Sequence, residues 1–518
     1  MSFKIAAILN KPEREAPTMD AIRTHLEREA PDCEMRTFAY NDADYMRRMI
    51  AYAPNALVSF PYTARTTSVR SYVLKHIFGC FNLCLRTEGQ LDYRNANKNT
   101  WLVGMENYGP DFVDYEMFWS RKIAELTGQE LVRTDRLSSS ERIRVFGYPP
   151  YEVHFRPWDR AEDTLPAHHA ARLDARPRSH VALFITNFCF ADYSAQDIVN
   201  AGDLIDVNAP DAGEELAAGI EGARRCGVFR QMWIDAILRA AYRNPHALIV
   251  VKSHPVEHII FGRKGHNPYA EAFSRMGNIV YVSEPVRIVD LLVRAGLFLH
   301  YGSTCLAEAC LQGVPSVFVT SEELYGEGRN PANPNFYFHD SGWESTLRAD
   351  IAEIPELISR HIAQPMPFVM TERMRTVLLD VFNIETGHLD GTRPYVPSAD
   401  IARFLAGLQG ERPQRLAYDD PHLRSALASG RFVALDALVH AGVAHIEAGE
   451  HKAALDILNR AVILAGPLGV EVPALEELRA VCMNGLGLGA QAARLLAAKR
   501  AGGGVPRNAK NPLPGGRS

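Results

Sequence analysis

The sequence has no surplus of basic charge: 56 Lys and Arg stand against 61 Asp and Glu over 518 residues, a formal net charge of −5. A chain-wide positive field that would hold nucleic acid by counterion release is therefore excluded. It has no run of the roughly 18 apolar residues that a bilayer-spanning helix needs, so any membrane contact is expected to be peripheral. Its eight cysteines, Cys33, Cys80, Cys84, Cys189, Cys226, Cys305, Cys310 and Cys482, never fall in a C-x-x-C pair. That spacing argues against a disulfide framework or a zinc knuckle and reads as reduced, mostly buried thiols of a cytosolic protein. The opening MSFKIAAILNKPEREAP lacks a small-residue cleavage site and reads as a first strand, not a signal peptide.

What is present is alternation. Short apolar strands and helical patterns succeed one another from residue 1 to about 155: Phe3 to Leu9, a helix near Thr18 to Ala30, a strand near Met35 to Tyr40, a helix near Ala43 to Tyr52. Ala56 to Phe60, a helix from Arg65 to Phe78 and a strand from Asn82 to Arg86 follow. A helical Tyr115 to Leu126 and the strand Arg142 to Phe146 close the block. This rhythm predicts a parallel sheet covered on both faces. Residues 154–178 are rich in Pro, Arg, His and Ala without periodicity and read as a connection.

A second block has strands expected at Val181 to Thr186, Ala247 to Lys252, Ile279 to Val282, Leu297 to His300 and Ser316 to Thr320. Its helices are expected near Glu214 to Arg243, Ile288 to Ala295 and Thr304 to Leu311. The fold class is therefore α/β, two Rossmann-like domains over 1–155 and 175–410 that face each other across a cleft. A helical region over 420–500 follows, its small residues Ala444, Gly449, Ala454 and Ala461 spaced for a tetratricopeptide-like hairpin that cannot bury its face alone. It would pack on the body or recruit a protein partner. The Gly/Pro-rich tail, 501–518, reads as disordered.

Two stretches carry chemistry. In ALIVVKSHPVE, Pro255 ends an apolar strand and leaves His254 at its carboxyl end, where it can donate to a phosphate oxygen with help from Lys252 or Ser253; the same His-Pro can instead only cap a turn. In LFLHYGSTCLAEACLQGVPSVFV, Gly302 permits close backbone approach and Ser303 or Thr304 can cap a helix whose first N–H groups attract an anion. Glu308, one turn on, can accept from ribose hydroxyls or be a solvated first-turn acid. Asn187, at the end of the second block's first strand, can meet a donor or form a turn. His168-His169 has no third ligand at suitable spacing, and Asp42-Ala43-Asp44 opens a helix instead of ending a buried strand, so no metal site is expected.

A His-Pro followed about 50 residues later by Gly-Ser-Thr-x-x-x-Glu resembles the nucleotide-binding half of GT-B-fold glycosyltransferases. More narrowly it resembles bacterial surface-carbohydrate biosynthesis proteins related to capsule Kdo transferases. NLCLRTEGQ, DYEMFWSRKIAELTG, RIRVFGYPPYEVHF, HVALFITNFCFADY and HLDGTRPYVPSADIARFL extend the likeness; the last resembles the segment leading into a helix that packs back on the first domain. The resemblance implies that His254, Ser303 and Thr304 hold the donor phosphate, that Glu308 contacts the ribose, and that Glu88 is the catalytic carboxylate. The relatives have two consecutive acids before the glycine where this chain has Thr87-Glu88, and Asp92 is the fallback. As a partly exposed acid, Glu88 could simply pair with Arg86 or Arg94.

The function expected is metal-independent, retaining transfer of a Kdo-type sugar from a CMP donor to a glycan or lipid-linked glycan acceptor, without a further cofactor. The first domain would bind the acceptor, at the cytoplasmic face of the membrane. Arg65, Arg86 and Lys252 are candidates for the sugar carboxylate. Two rivals remain: a CDP-glycerol-type phosphotransferase with the same donor motifs, and a non-catalytic scaffold that recruits partners through its helical C-terminus.

Overall fold

A computed structural model describes the chain except residues 1, 11, 41, 43, 61–64, 87–111, 201–211, 327–346, 415–434, 436, 466–473 and 503–518. Glu88, Asp92, Arg94 and the tail from 503 lie outside the described residues. Among those described, no helix is long and apolar enough to cross a membrane.

Two six-stranded, wholly parallel sheets form the body. In the first, β1 (Phe3–Leu9), β2 (Cys33–Ala39), β3 (Ala56–Ser59), β4 (Phe81–Arg86), β5 (Tyr115–Phe118) and β6 (Ile143–Val145) stand in the order 2-1-3-4-5-6. In the second, β7 (Val181–Ile185), β8 (Leu248–Lys252), β9 (Ile279–Val282), β10 (Leu297–His300), β11 (Ser316–Thr320) and β12 (Arg348–Asp350) stand in the order 12-11-10-7-8-9. The second order is the Rossmann winding; the first has the flavodoxin-like winding, a refinement of the expected pair of Rossmann-like sheets. The central strands β3, β4, β7, β8 and β10 are buried along their whole length, as continuous apolar runs covered by helices on both faces require.

Four expectations change. Tyr115 to Leu126 is not one helix: Tyr115–Phe118 is an inner strand, and the helix begins at Arg121, where the buried Ser120 hydroxyl accepts from Ile123 N. The presumed linker holds a helix, Ala167–Asp174, whose Ala170 and Leu173 join the core under the second sheet. Proline and arginine masked so short an apolar face. A sixth strand, β12, was not foreseen. In the C-terminal hairpin, Ala444 is exposed and Gly449 sits in the turn at φ +73°, and the close approach is made by Gly442, against which Leu458 packs.

The chain crosses between the halves twice. Helix Ile354–Ala363 packs on the long helix Ala212–Arg243 of the second half, whereas Glu372–Phe382 lies on Arg121–Arg133 and Pro397–Gly407 on Pro12–Glu29 of the first. Ile401, Ala402 and Leu405 complete the core beneath the first sheet, as the resemblance implied for this segment. The helices 437–447, His451–Ala465, Leu475–Gly485 and Gly489–Gly502 follow; the second packs on Arg65–Phe78, where Arg460 reaches the Ile77 carbonyl and stands over the Phe78 ring.

Candidate nucleotide-binding cleft

In the second sheet the winding reverses between β7 and β10, so the loops leaving β7, β8 and β10 splay apart at one crevice. These loops carry Asn187, Lys252 to His254, and Ser303 with Thr304.

His254 is the N-cap of the helix Pro255–Lys264, with Pro255 in the first turn. Its Nδ1 accepts from Val256 N at 3.2 Å and stands 3.3 Å from Cys189 Sγ, which donates to Asn187 Oδ1 at 3.2 Å. An accepting Nδ1 puts the ring proton on Nε2, the atom that would have to meet a phosphate oxygen. The turn role and the phosphate role are therefore compatible, each using a different nitrogen. The cap is completed by Glu257, whose Oε2 accepts from His254 N at 2.9 Å and from the Thr186 hydroxyl at 2.5 Å, while Oε1 accepts from the Tyr269 hydroxyl at 2.7 Å. Burial raises the Glu257 carboxyl above its ordinary pKa, against these three donors and the Phe188 backbone N–H.

Lys252 is buried at the end of β8 and donates to the Ser253 carbonyl at 3.0 Å; desolvation pushes its ammonium pKa down, opposed by Cys305, Glu257 and Glu284. The Ser253 hydroxyl meets His258 Nε2 at 2.8 Å and the Tyr281 hydroxyl at 3.0 Å. After β10, Gly302 holds φ +116°, a conformation that favours glycine, and His300 Nδ1 accepts from the backbone N–H of Gly302 and Ser303 at 3.2 and 3.4 Å. Ser303 Oγ accepts from Cys305 N at 3.2 Å, so its own hydroxyl proton is left to donate. Thr304 is exposed and makes no side-chain cap.

Glu308 reaches the space between the halves. It lines a cavity of about 740 Å³ whose wall also includes His25, Glu152, Arg156, Arg287 and Tyr395. Its Oε1 lies 3.3 Å from Nε2 of His154, whose side chain is fully buried and whose Nδ1 is 2.9 Å from Gln312 Nε2. Glu152 is fixed by the backbone N–H and hydroxyl of Ser398 at 2.5 and 2.8 Å, and burial raises its pKa.

On the first-domain side, Arg86 ends β4 with its guanidinium held in a fork by Glu116 of β5, at 2.8 and 3.2 Å, both groups buried. Those N–H groups are committed to Glu116, which weakens Arg86 as a sugar-carboxylate ligand. Arg65 opens the helix Arg65–Phe78, and its side chain lies outside the described set.

Sequence reasoning missed His154, Glu152 and the Glu257 network. The last had a signal, H-P-V-E being a cap followed by an acid at the third helical position. The other two lie at and just before the start of the 154–178 stretch and act on partners far along the chain. The sequence also gave His168-His169 no third ligand, yet the fold sets Glu284 beside them.

Neither a protein-family description nor a curated protein matches this chain. Solved structures that resemble it include the UDP-GlcNAc 2-epimerase of Neisseria meningitidis bound to UDP-GlcNAc, 12% identical at a TM-score of 0.44, over 78% of this chain and 100% of that one. The wall teichoic acid polymerase TagF is 12% identical at 0.44, over 79% and 90%. MnaA of S. aureus with UDP is 12% identical at 0.42, over 80% and 100%. These likenesses concern the course of the chain.

Proposed function

We propose that this protein is a nucleotide-sugar-dependent glycosyltransferase of surface-glycan assembly, whose donor is a CMP-linked, Kdo-type sugar acid and whose acceptor is a glycan or lipid-linked glycan. The observation that supports it best is the gathering of Asn187, Lys252, His254 and Ser303 on three loops at the carboxyl ends of adjacent parallel strands, with Glu308 on the cleft between the halves. Donors of this kind, a neutral imidazole N–H, a hydroxyl and an ammonium, suit a phosphate. Glu308 suits ribose hydroxyls, and His154 holds its carboxylate in place. Glu88 is the proposed catalytic carboxylate in retaining transfer, carried by the motif resemblance alone.

The cap geometry dictates the variant to use. His254→Ala removes both the cap and the phosphate donor, whereas His254→Asn keeps an N-cap acceptor and shortens the reach. Calorimetry with CMP, CDP, UDP and GDP is expected to show cytidine-nucleotide binding without added metal. His254→Asn should weaken it by roughly 1.5–3 kcal/mol, the value of a hydrogen bond to a charged group, with little loss of stability. Preference for UDP or GDP would overturn the CMP donor, and no nucleotide binding would overturn the donor site. Glu88→Gln is expected to bind donor as the wild type does and to lose transfer; unchanged turnover would remove Glu88 from the mechanism.

A further inference from the structure

His168 and His169 lie in the first turn of the helix Ala167–Asp174, and Glu284 lies just beyond the edge strand β9. No sequence spacing joins them, but the fold brings one ligand atom of each to within 4.8 Å of the other two, the one such trio among the described residues. The two imidazoles stand with centroids 4.0 Å apart, and His169 Nε2 is 3.8 Å from Glu284 Oε1. Ligands held at about 2.0–2.1 Å around a tetrahedral ion stand roughly 3.4 Å apart. The histidine–carboxylate separation is thus within half an ångström of a shared ion, and the exposed His168 can swing to close the remainder.

Three features suit these groups to a cation. The Glu284 carboxylate is oriented by its other oxygen, which accepts from Ser283 N at 2.9 Å, leaving Oε1 toward the histidine. Arg172, the nearest cation on the same helix, is taken up by the Gly277 and Ile279 carbonyls at 2.7 and 3.2 Å. The acid offsets the positive helix start beneath the histidines.

We propose that His168, His169 and Glu284 bind a divalent transition metal, zinc being the best fit to two imidazoles and one carboxylate with a fourth position for water. The site borders the end of β8, where Glu284 acts electrostatically on Lys252. It links the helix of the interdomain connection to the segment after β9, whose Arg287 and Val289 line the cleft. A bound ion would pin that wall of the cavity.

The test is calorimetry of ZnCl₂ with the full chain, together with the visible spectrum of its Co²⁺ form. Wild type is expected to take up one equivalent of Zn²⁺ that His168→Ala lacks and Glu284→Gln binds at least about tenfold more weakly, with Mg²⁺ unable to compete. The Co²⁺ form should show tetrahedral d–d bands that His168→Ala abolishes. His168 is exposed and Glu284 half-exposed, so both variants are expected to fold, which circular dichroism checks. Absence of Zn²⁺ binding by wild type, or the same stoichiometry and affinity in His168→Ala, overturns the site.

Discussion

The carboxylate of Glu257 is sealed beneath the loops that would hold a donor, and three donors from three separate elements converge on it. Glu257→Ala would leave the His254 N–H and two hydroxyls without their acceptor and is expected to cost at least about 2 kcal/mol in urea unfolding. Glu257→Gln keeps one acceptor oxygen and should cost much less. The two carboxyl forms also titrate differently. Because burial raises the folded pKa, the native state holds its proton to higher pH than the unfolded chain, and wild-type stability falls as pH rises from the unfolded value through the folded one. Glutamine has no such titration, so the variant should gain on wild type as pH rises above the ordinary carboxylate pKa of about 4; a constant gap would refute the shifted carboxyl. At this scale the sequence displays the acid three positions after the histidine. Thr186 lies 71 residues away and Tyr269 12, and their convergence is set by the pairing of β7 with β8, which no local pattern encodes.

Elements were legible wherever burial is uniform. Ile279–Val282, Leu297–His300 and Ser316–Thr320 fall where the apolar runs place them, since strands covered by helices read as near-continuous apolar runs. Tyr115 to Leu126 misled because Tyr115, Phe118, Trp119, Ile123 and Leu126 happen to recur at helical spacing, while the strand–helix junction depends on one hydroxyl. Ser120 Oγ accepts from Ile123 N at 3.0 Å and donates to the Asp380 carbonyl at 2.8 Å, pinning the returning chain as well as starting the helix. Ser120→Ala is therefore expected to lower stability by about 1–2 kcal/mol in urea titration, and a change within a few tenths would deny the cap its role. The Gly-x-Pro after β6 is a second junction of this kind. Gly147 holds φ +97°, and an added Cβ would stand 2.7 Å from the Tyr395 hydroxyl, which itself accepts from Tyr148 N.

Across the whole molecule, distant segments are tied at buried charges. Asp114 accepts from Lys75 of the helix Arg65–Phe78, from Asn82 N of β4, and from Gln414 N, 300 residues on, just past the helix that returns to the first domain. Lys75 and Asp114 are fully buried, so Lys75→Met, which removes the cation and leaves the carboxylate, is expected to destabilise the first domain by about 3–5 kcal/mol, read as an earlier unfolding transition by calorimetry. The two-block plan behind this tie was readable from alternation alone, whereas the tie itself joins residues that share no pattern. The double crossing has a mechanical consequence. Residues 156–166 and 364–371 are two separate covalent strands between the halves, so a single protease cut in either cannot release one half from the other. Covalent release of the second half therefore takes a cut in both.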